Sequence, residues 1–175
     1  MDKLTLLYSR QAIAERVRAL AEAINSDYAD KELVLVGILR GTFVFLADLI
    51  RLIKVPVTVD FIGVSSYGLG TESSQQIALT KDVQIPVTGK HVLVVEDILD
   101  TGLTVDFVLR SLRQRQPASL RVCALIDKKE RRLIDVPVDY VGFDLKSGFV
   151  AGYGIDCAER YRSLPDIYLV ESVER

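Results

Sequence analysis

A chain of 175 residues, 49% hydrophobic and 26% charged, is long and apolar enough to bury a core, which excludes a disordered segment. A formal charge of −2 excludes the global basic field of a nucleic-acid binder, and no apolar run reaches the roughly 18 residues of a membrane span. No signal-peptide pattern opens at Met1-Asp2-Lys3-Leu4, and Cys123 and Cys157 are far apart, so both are expected as reduced thiols in a cytoplasmic protein.

Ser9 is placed to cap a helix in which Ile13, Val17, Leu20 and Ile24 recur at helical spacing, with Glu15, Arg16, Arg18 and Glu22 on the other face. Asn25-Ser26-Asp27 ends or frays it. Leu33 to Leu39 is a continuous apolar run, as in a parallel strand buried on both faces. Phe43 to Ile53 reads as an apolar helix with Asp48 and Arg51 as its charged positions, and a strand starting at Val55 continues through Phe61, Ile62 and Val64. The serine- and glycine-rich segment 65–76, SSYGLGTESSQQ, reads as an ordinary surface loop or as a lid over a site. Ile77 to Val83 returns as strand, and residues 86–90 turn at Gly89.

Residues 92–95 form another apolar run, leading to Glu96 and Asp97, then to Asp100 and the small turn Thr101-Gly102-Leu103-Thr104. A helix follows on Val105, Val108, Leu109 and Leu112 and ends before Pro117. Arg121 to Ile126 is a strand ending in Asp127-Lys128-Lys129, Tyr140 to Phe143 is a short strand, Phe149 to Gly154 is extended and Gly-rich, and Ile167 to Val170 is the last strand. This order predicts one α/β domain with a mainly parallel central sheet flanked by helices, with ligands beyond the carboxyl ends of the strands.

The stretch Val94–Thr104, VVEDILDTGLT, carries the chemistry. A strand, a small-residue turn and a helix start offer free N–H groups and a helix dipole to a phosphate monoester. Thr101 and Thr104 add hydroxyls, and Gly102 lets the backbone come close. The same spacing also suits a simple helix cap by Thr101 or Thr104. Glu96 and Asp97, at the end of an apolar strand, could accept from the paired hydroxyls of a ribose or bind magnesium. No Walker A or dinucleotide fingerprint occurs in the right context. His91, the only histidine, lies away from these groups and reads as structural or exposed; Lys128-Lys129 with Arg131-Arg132 reads as a solvated basic loop beside an anionic site.

VVEDILDTGLT resembles the phosphoribosyl-pyrophosphate-binding motif of type I phosphoribosyltransferases. The resemblance extends over nearly the whole chain to the 6-oxopurine branch, the hypoxanthine (hypoxanthine-guanine) phosphoribosyltransferases. Four further stretches carry it: residues 37–42 (GILRGT), 65–68 (SSYG), 125–128 (LIDK) and 149–156 (FVAGYGID) running on to Tyr161-Arg162. It implies the type I phosphoribosyltransferase fold, with a core at about 30–145, a small hood from the N-terminal segment and about 146–175, and a mobile loop at 65–80. It also implies a purine-salvage reaction with magnesium, in which the 5-phosphoribosyl group passes from phosphoribosyl pyrophosphate to N9 of hypoxanthine or guanine and pyrophosphate leaves.

The resemblance implies the following roles. Glu96 and Asp97 hold the ribose hydroxyls and are candidates, with Asp156, for magnesium. Asp100 is the general base on the purine N7 proton, and Asp100, Thr101, Gly102, Leu103 and Thr104 bind the 5′-phosphate. Leu39, Arg40 and Gly41 form a pyrophosphate loop, whose first peptide bond can be cis and where the family often has lysine in place of Arg40; Arg162 adds charge there. Lys128 donates to the purine O6, Phe149 stacks on the base, and Val150 and Asp156 complete the purine site. Ser66 and Tyr67 belong to the lid. The partners implied are small-molecule substrates and further copies of the chain in a homodimer or homotetramer, with no nucleic acid or membrane. A nucleic-acid-binding regulator on the same scaffold is opposed by the slightly acidic charge, and a pyrimidine or adenine enzyme by Lys128 and Phe149.

Overall fold

The computed structural model describes residues 2–67 and 76–171. Part of the segment expected as a lid, and the side chains of Ser66 and Tyr67, lie outside the described residues. In chain order the elements are β1 (Lys3–Tyr8), α1 (Arg10–Asp27), β2 (Leu33–Leu39), α2 (Phe43–Ile50), β3 (Val57–Tyr67), β4 (Gln76–Lys81), β5 (His91–Leu99), α3 (Leu103–Arg113), β6 (Ser119–Lys128), β7 (Tyr140–Leu145), β8 (Val150–Ala151) and β9 (Ile167–Glu171).

A six-stranded sheet runs β4-β3-β2-β5-β6-β7, parallel throughout except for β4, which pairs antiparallel at one edge. Successive residues of a strand point to opposite faces, so an unbroken apolar run feeds two cores at once. Leu33, Leu35, Leu93, Val95, Cys123 and Leu125 pack with α1 and α2. Their neighbours Val34, Val36, Val92, Val94, Val122 and Ala124 pack with α3. The sheet is thus covered on both sides, as a parallel sheet requires.

Ser9 caps α1 as its position suggests, its Oγ accepting the Ala12 N–H at 3.2 Å, and Ile13, Val17, Leu20 and Ile24 form the buried stripe. The helix continues through Asn25-Ser26-Asp27. Helix α2 is shorter than its apolar run. Asn25 explains the early end: its Nδ2 donates to the Leu52 carbonyl and its Oδ1 accepts from the Lys54 N–H, taking over groups that a longer helix would pair internally. Strand β4 likewise stops at Lys81, because Asp60 captures the N–H groups of Gln84 and Ile85.

The sequence reading contains no strand at residues 3–8. There, β1 pairs antiparallel with β9, which also pairs with β8, making a second, three-stranded sheet from the two ends of the chain. The loop leaving β8 rests against the end of β2: a Cβ on Gly154, at φ +96°, would come within 2.5 Å of the Gly41 carbonyl oxygen. Among the described residues no helix is long and apolar enough to cross a membrane, and both cysteines are free thiols.

Candidate active site

A cleft of about 360 Å³ opens at the carboxyl ends of the parallel strands. The β5–α3 junction supplies Glu96, Asp97, Asp100, Thr101, Gly102 and Thr104 to its wall, the end of β2 supplies Leu39, Arg40 and Gly41, and the loop after β8 supplies Asp156 and Arg162. Ser65 of β3 and Ile77 of β4 also line it. Residues from three distant stretches of sequence therefore line one cleft. Leu103 opens α3 beside them. Lys128 stands next to the cleft beside Asp100, with Phe149 against it.

The strand carrying the acids is longer than the apolar run suggests. Pairing with β6 continues from Glu96↔Ala124 to Leu99↔Asp127, so Glu96 and Asp97 lie inside β5. They are only 7% and 6% exposed. Burial, then the hydrogen bond and negative charge of Asp97, push the Glu96 carboxyl well above its ordinary range. Gly41 lies directly on this pair: a Cβ there would fall 1.8 Å from Asp97 Oδ2. The Leu39–Arg40 peptide bond is cis.

At the turn after β5, neither threonine occupies the cap position. The cap position of α3 is Gly102, at φ +85°, and it makes no side-chain cap hydrogen bond. Thr101 Oγ1 takes only the Leu103 N–H, at a long 3.4 Å. The first turn of α3 therefore keeps N–H groups for a ligand, at the end where the helix dipole favours an anion. A Cβ on Gly102 would sit 2.3 Å from the Ile134 carbonyl oxygen, and the N–H groups of Leu133 and Ile134 both reach the Thr101 carbonyl. The loop after β6 thus holds this turn in shape.

Arg132 completes that support and corrects the reading of the basic run as a solvated loop. Its Nε donates to the Asp100 carbonyl at 2.9 Å, and its Nη2 to the carbonyls of Leu99 at 3.2 Å and Lys128 at 3.0 Å and to the Asp127 carboxylate. Only the neighbouring Asp127 hints at this in sequence.

Asp100 sits between the cradle and a second group of residues. Its Oδ1 lies 3.7 Å from Lys128 Nζ and its Oδ2 3.7 Å from Arg131 Nη1. Oδ1 is buried without a hydrogen-bond partner among the described residues. Lys128 is 3% exposed, and its ammonium lies 5.3 Å from the ring centroid of Phe149, which is itself 64% exposed. A buried cation beside an open aromatic face gives one donor and one stacking surface for a flat heterocycle. Val150 is buried in β8, paired with Leu169.

The two expected anion-binding cations are both engaged. Arg40 pairs with Glu159 at 2.6 Å; Arg162 pairs with Asp156 at 2.6 Å and donates to the Gly154 carbonyl at 2.8 Å. His91 lies at the far end of β5, its Nδ1 2.8 Å from Ser119 Oγ. Among the described residues no group of three or more His, Cys, Asp or Glu side chains could cage a metal ion. The carboxylates of Glu96, Asp97 and Asp156 on one cleft do suit magnesium, which takes one or two carboxylates and completes its shell with substrate oxygens and water.

The doubly covered parallel sheet with a polar cleft at its carboxyl end is the frame of a phosphoribosyltransferase, and the chain belongs to that family: residues 4–158 match the phosphoribosyl transferase domain. Its relatives specify the branch. It is 46% identical over 162 residues to the hypoxanthine phosphoribosyltransferase of Haemophilus influenzae, covering 91% of this chain and 90% of that protein. It is 46% identical over 170 residues to the hypoxanthine-guanine phosphoribosyltransferase of Aquifex aeolicus, covering 97% and 96%. A crystal structure of a hypoxanthine-guanine phosphoribosyltransferase from Bacillus anthracis superposes with a TM-score of 0.91 at 44% identity, covering 98% of this chain and 100% of that one.

Proposed function

We propose that this chain transfers the 5-phosphoribosyl group of phosphoribosyl pyrophosphate to N9 of hypoxanthine and guanine, giving the purine nucleoside monophosphate and pyrophosphate. The observation that carries the substrate class is the position of Asp100, between a phosphate cradle and a buried lysine facing an exposed aromatic ring. In this reading the first turn of α3, with Thr101, Gly102, Leu103 and Thr104, holds the 5′-phosphate. Glu96 and Asp97 accept from the ribose hydroxyls. Phe149 stacks on the base, the Val150 backbone and Asp156 meet its edge, and Lys128 donates to O6. An ammonium carries donors only, so it pairs with a 6-oxo group and leaves the 6-amino group of adenine unmatched.

Asp100 Oδ1 takes the proton from N7 as N9 forms its bond to C1 and the bond from C1 to pyrophosphate breaks. Arg40, the backbone of Leu39 and Gly41, and Arg162 receive the departing pyrophosphate. Magnesium, held through Asp156 and the Glu96–Asp97 pair, supplies positive charge to the pyrophosphate oxygens when bound. Ser66 and Tyr67 belong to a lid that excludes water from C1. The chain ends form the hood over a core at about 30–145, and the enzyme works in the cytoplasm as a homodimer or homotetramer, a state that sedimentation measures directly.

The test is nucleotide formation from hypoxanthine, guanine or xanthine with phosphoribosyl pyrophosphate and magnesium; no product with any of the three overturns the reading. Asp100→Asn should lower turnover by about 10²–10⁴-fold, the usual share of a general base, with little change in phosphoribosyl pyrophosphate affinity. Unchanged turnover would remove Asp100 from the proton transfer.

A further inference from the structure

We propose that Glu159 is an internal counter-ion of the pyrophosphate site, which the pyrophosphate group must displace to bind. This rests on the reading of Arg40 and Arg162 as pyrophosphate ligands. Glu159 Oε1 lies 2.6 Å from Arg40 Nη2, and Oε2 lies 3.5 Å from Arg162 Nη2. One carboxylate thus spans two guanidinium groups that reach the cleft from different elements, Arg40 from the end of β2 and Arg162 from the loop after β8. Two oxygens shared between guanidinium groups are also what a phosphate offers, so the carboxylate and the pyrophosphate compete for the same donors.

The backbone presents Glu159 in a particular way. Cys157 and Arg160 exchange both of their main-chain hydrogen bonds at 3.1 Å, closing a turn whose central residues, Ala158 and Glu159, have φ of +51° and +60°. Such turns favour asparagine and glycine at these positions, so a glutamate there is poorly explained by the turn itself. The Glu159 N–H donates to Asp156 Oδ2 at 2.9 Å, which fixes the turn beside the cleft. Arg162 is already balanced by Asp156, so the cation whose charge Glu159 mainly occupies is Arg40.

Exposure sets the size of the effect. The Arg40 and Glu159 side chains are 71% and 62% exposed, and ion pairs of that kind are weak. The contact tunes affinity and opens on each turnover; it does not lock the site. Glu159 therefore lowers affinity for phosphoribosyl pyrophosphate and for the product pyrophosphate, which favours product release.

The test is calorimetric titration of the whole protein with inorganic pyrophosphate and magnesium, for the unaltered chain, Glu159→Gln and Glu159→Gly. Glutamine keeps the shape and removes the charge, and glycine accepts the positive φ, so neither variant threatens the fold. Both should bind pyrophosphate about two- to fivefold tighter, the scale of one exposed ion pair. In steady-state assays the KM for phosphoribosyl pyrophosphate should fall by a similar factor while the KM for the purine stays constant. In an Arg40→Gln background, adding Glu159→Gln should change nothing. Equal or weaker binding by both variants, or a gain that persists without Arg40, would overturn the inference alone. No binding by the unaltered chain would overturn the reading of the site and the inference with it.

Discussion

Gly41 shows how much of this site depends on a missing side chain. The glycine is visible in the run GILRGT, but its reason is not, because the atoms it makes room for belong to Asp97 in another strand. A Cβ would lie 1.8 Å from Asp97 Oδ2 and 2.6 Å from Cγ, so the loop or the carboxylate must move. Displacements near 1 Å at a reacting centre cost about a hundredfold in rate. Gly41→Ala should therefore lower kcat/KM for phosphoribosyl pyrophosphate by about that factor. Thermal unfolding should change little, since the clash is with a cleft-lining side chain. A variant with near-normal kcat/KM would mean that the loop and Asp97 are not in functional contact. Arg132 teaches the same lesson in reverse. Its charge is plain in sequence, whereas its bonds to the carbonyls of Leu99, Asp100 and Lys128 depend on how β6 lies beside β5.

At the level of elements, the strands with unbroken apolar runs were legible and their ends were not. Polar residues at the carboxyl ends of β5 and β6 still pair in the sheet, so periodicity and hydrophobicity stop before the strand does. The short β1 was illegible because its meaning lies in its partner, β9, at the other end of the chain. Asp60 in β3 governs another boundary. It accepts from the N–H groups of Phe61, Gln84 and Ile85 and from Lys81 Nζ, tying the chain after β4 back to β3. Burial pushes its carboxyl upward, but the donors of Ile85, Gln84, Lys81 and Phe61 together outweigh burial and hold it well below the usual 3.8. A carboxyl held low binds fewer protons folded than unfolded, so its stabilisation is present above the unfolded value and is lost as pH falls below it. Asp60→Ala should cost about 1–2 kcal/mol at neutral pH, by leaving four part-buried or exposed donors without their shared acceptor. The gap from the unaltered chain should narrow below about pH 4, near the ordinary carboxylate value. Urea melts at pH 7 and pH 3.5 measure both, and a gap that does not depend on pH would separate Asp60 from the acid response.

The two sheets are joined at the site itself, so the molecule as a whole has no separate catalytic and structural halves. Asp2 accepts from Arg160 and Tyr161, and Asp166 from the Arg10 N–H, so the chain ends hold the loop that carries Asp156 and Arg162. Gly154 touches the Gly41 carbonyl, and the Tyr153 hydroxyl donates to Asp48 Oδ2 on α2 at 2.6 Å. Tyr153 is buried at φ +53°, and burial followed by its bond to Asp48 pushes the phenol upward, which favours the protonated, donating form. This bond joins the loop after β8 to the helix that follows the end of β2. Tyr153→Phe keeps the ring and removes only the donor to a charged acceptor, a loss of about 1.5–3 kcal/mol. The urea midpoint should fall accordingly with an unchanged m-value, and intrinsic tyrosine fluorescence and circular dichroism should report one coincident transition. Two separated transitions would show that the three-stranded sheet unfolds on its own and that this bond is the seam between independent units. A single lowered transition, with the KM values for purine and phosphoribosyl pyrophosphate rising together, would show that the three-stranded and six-stranded sheets are one cooperative body that shares the cleft.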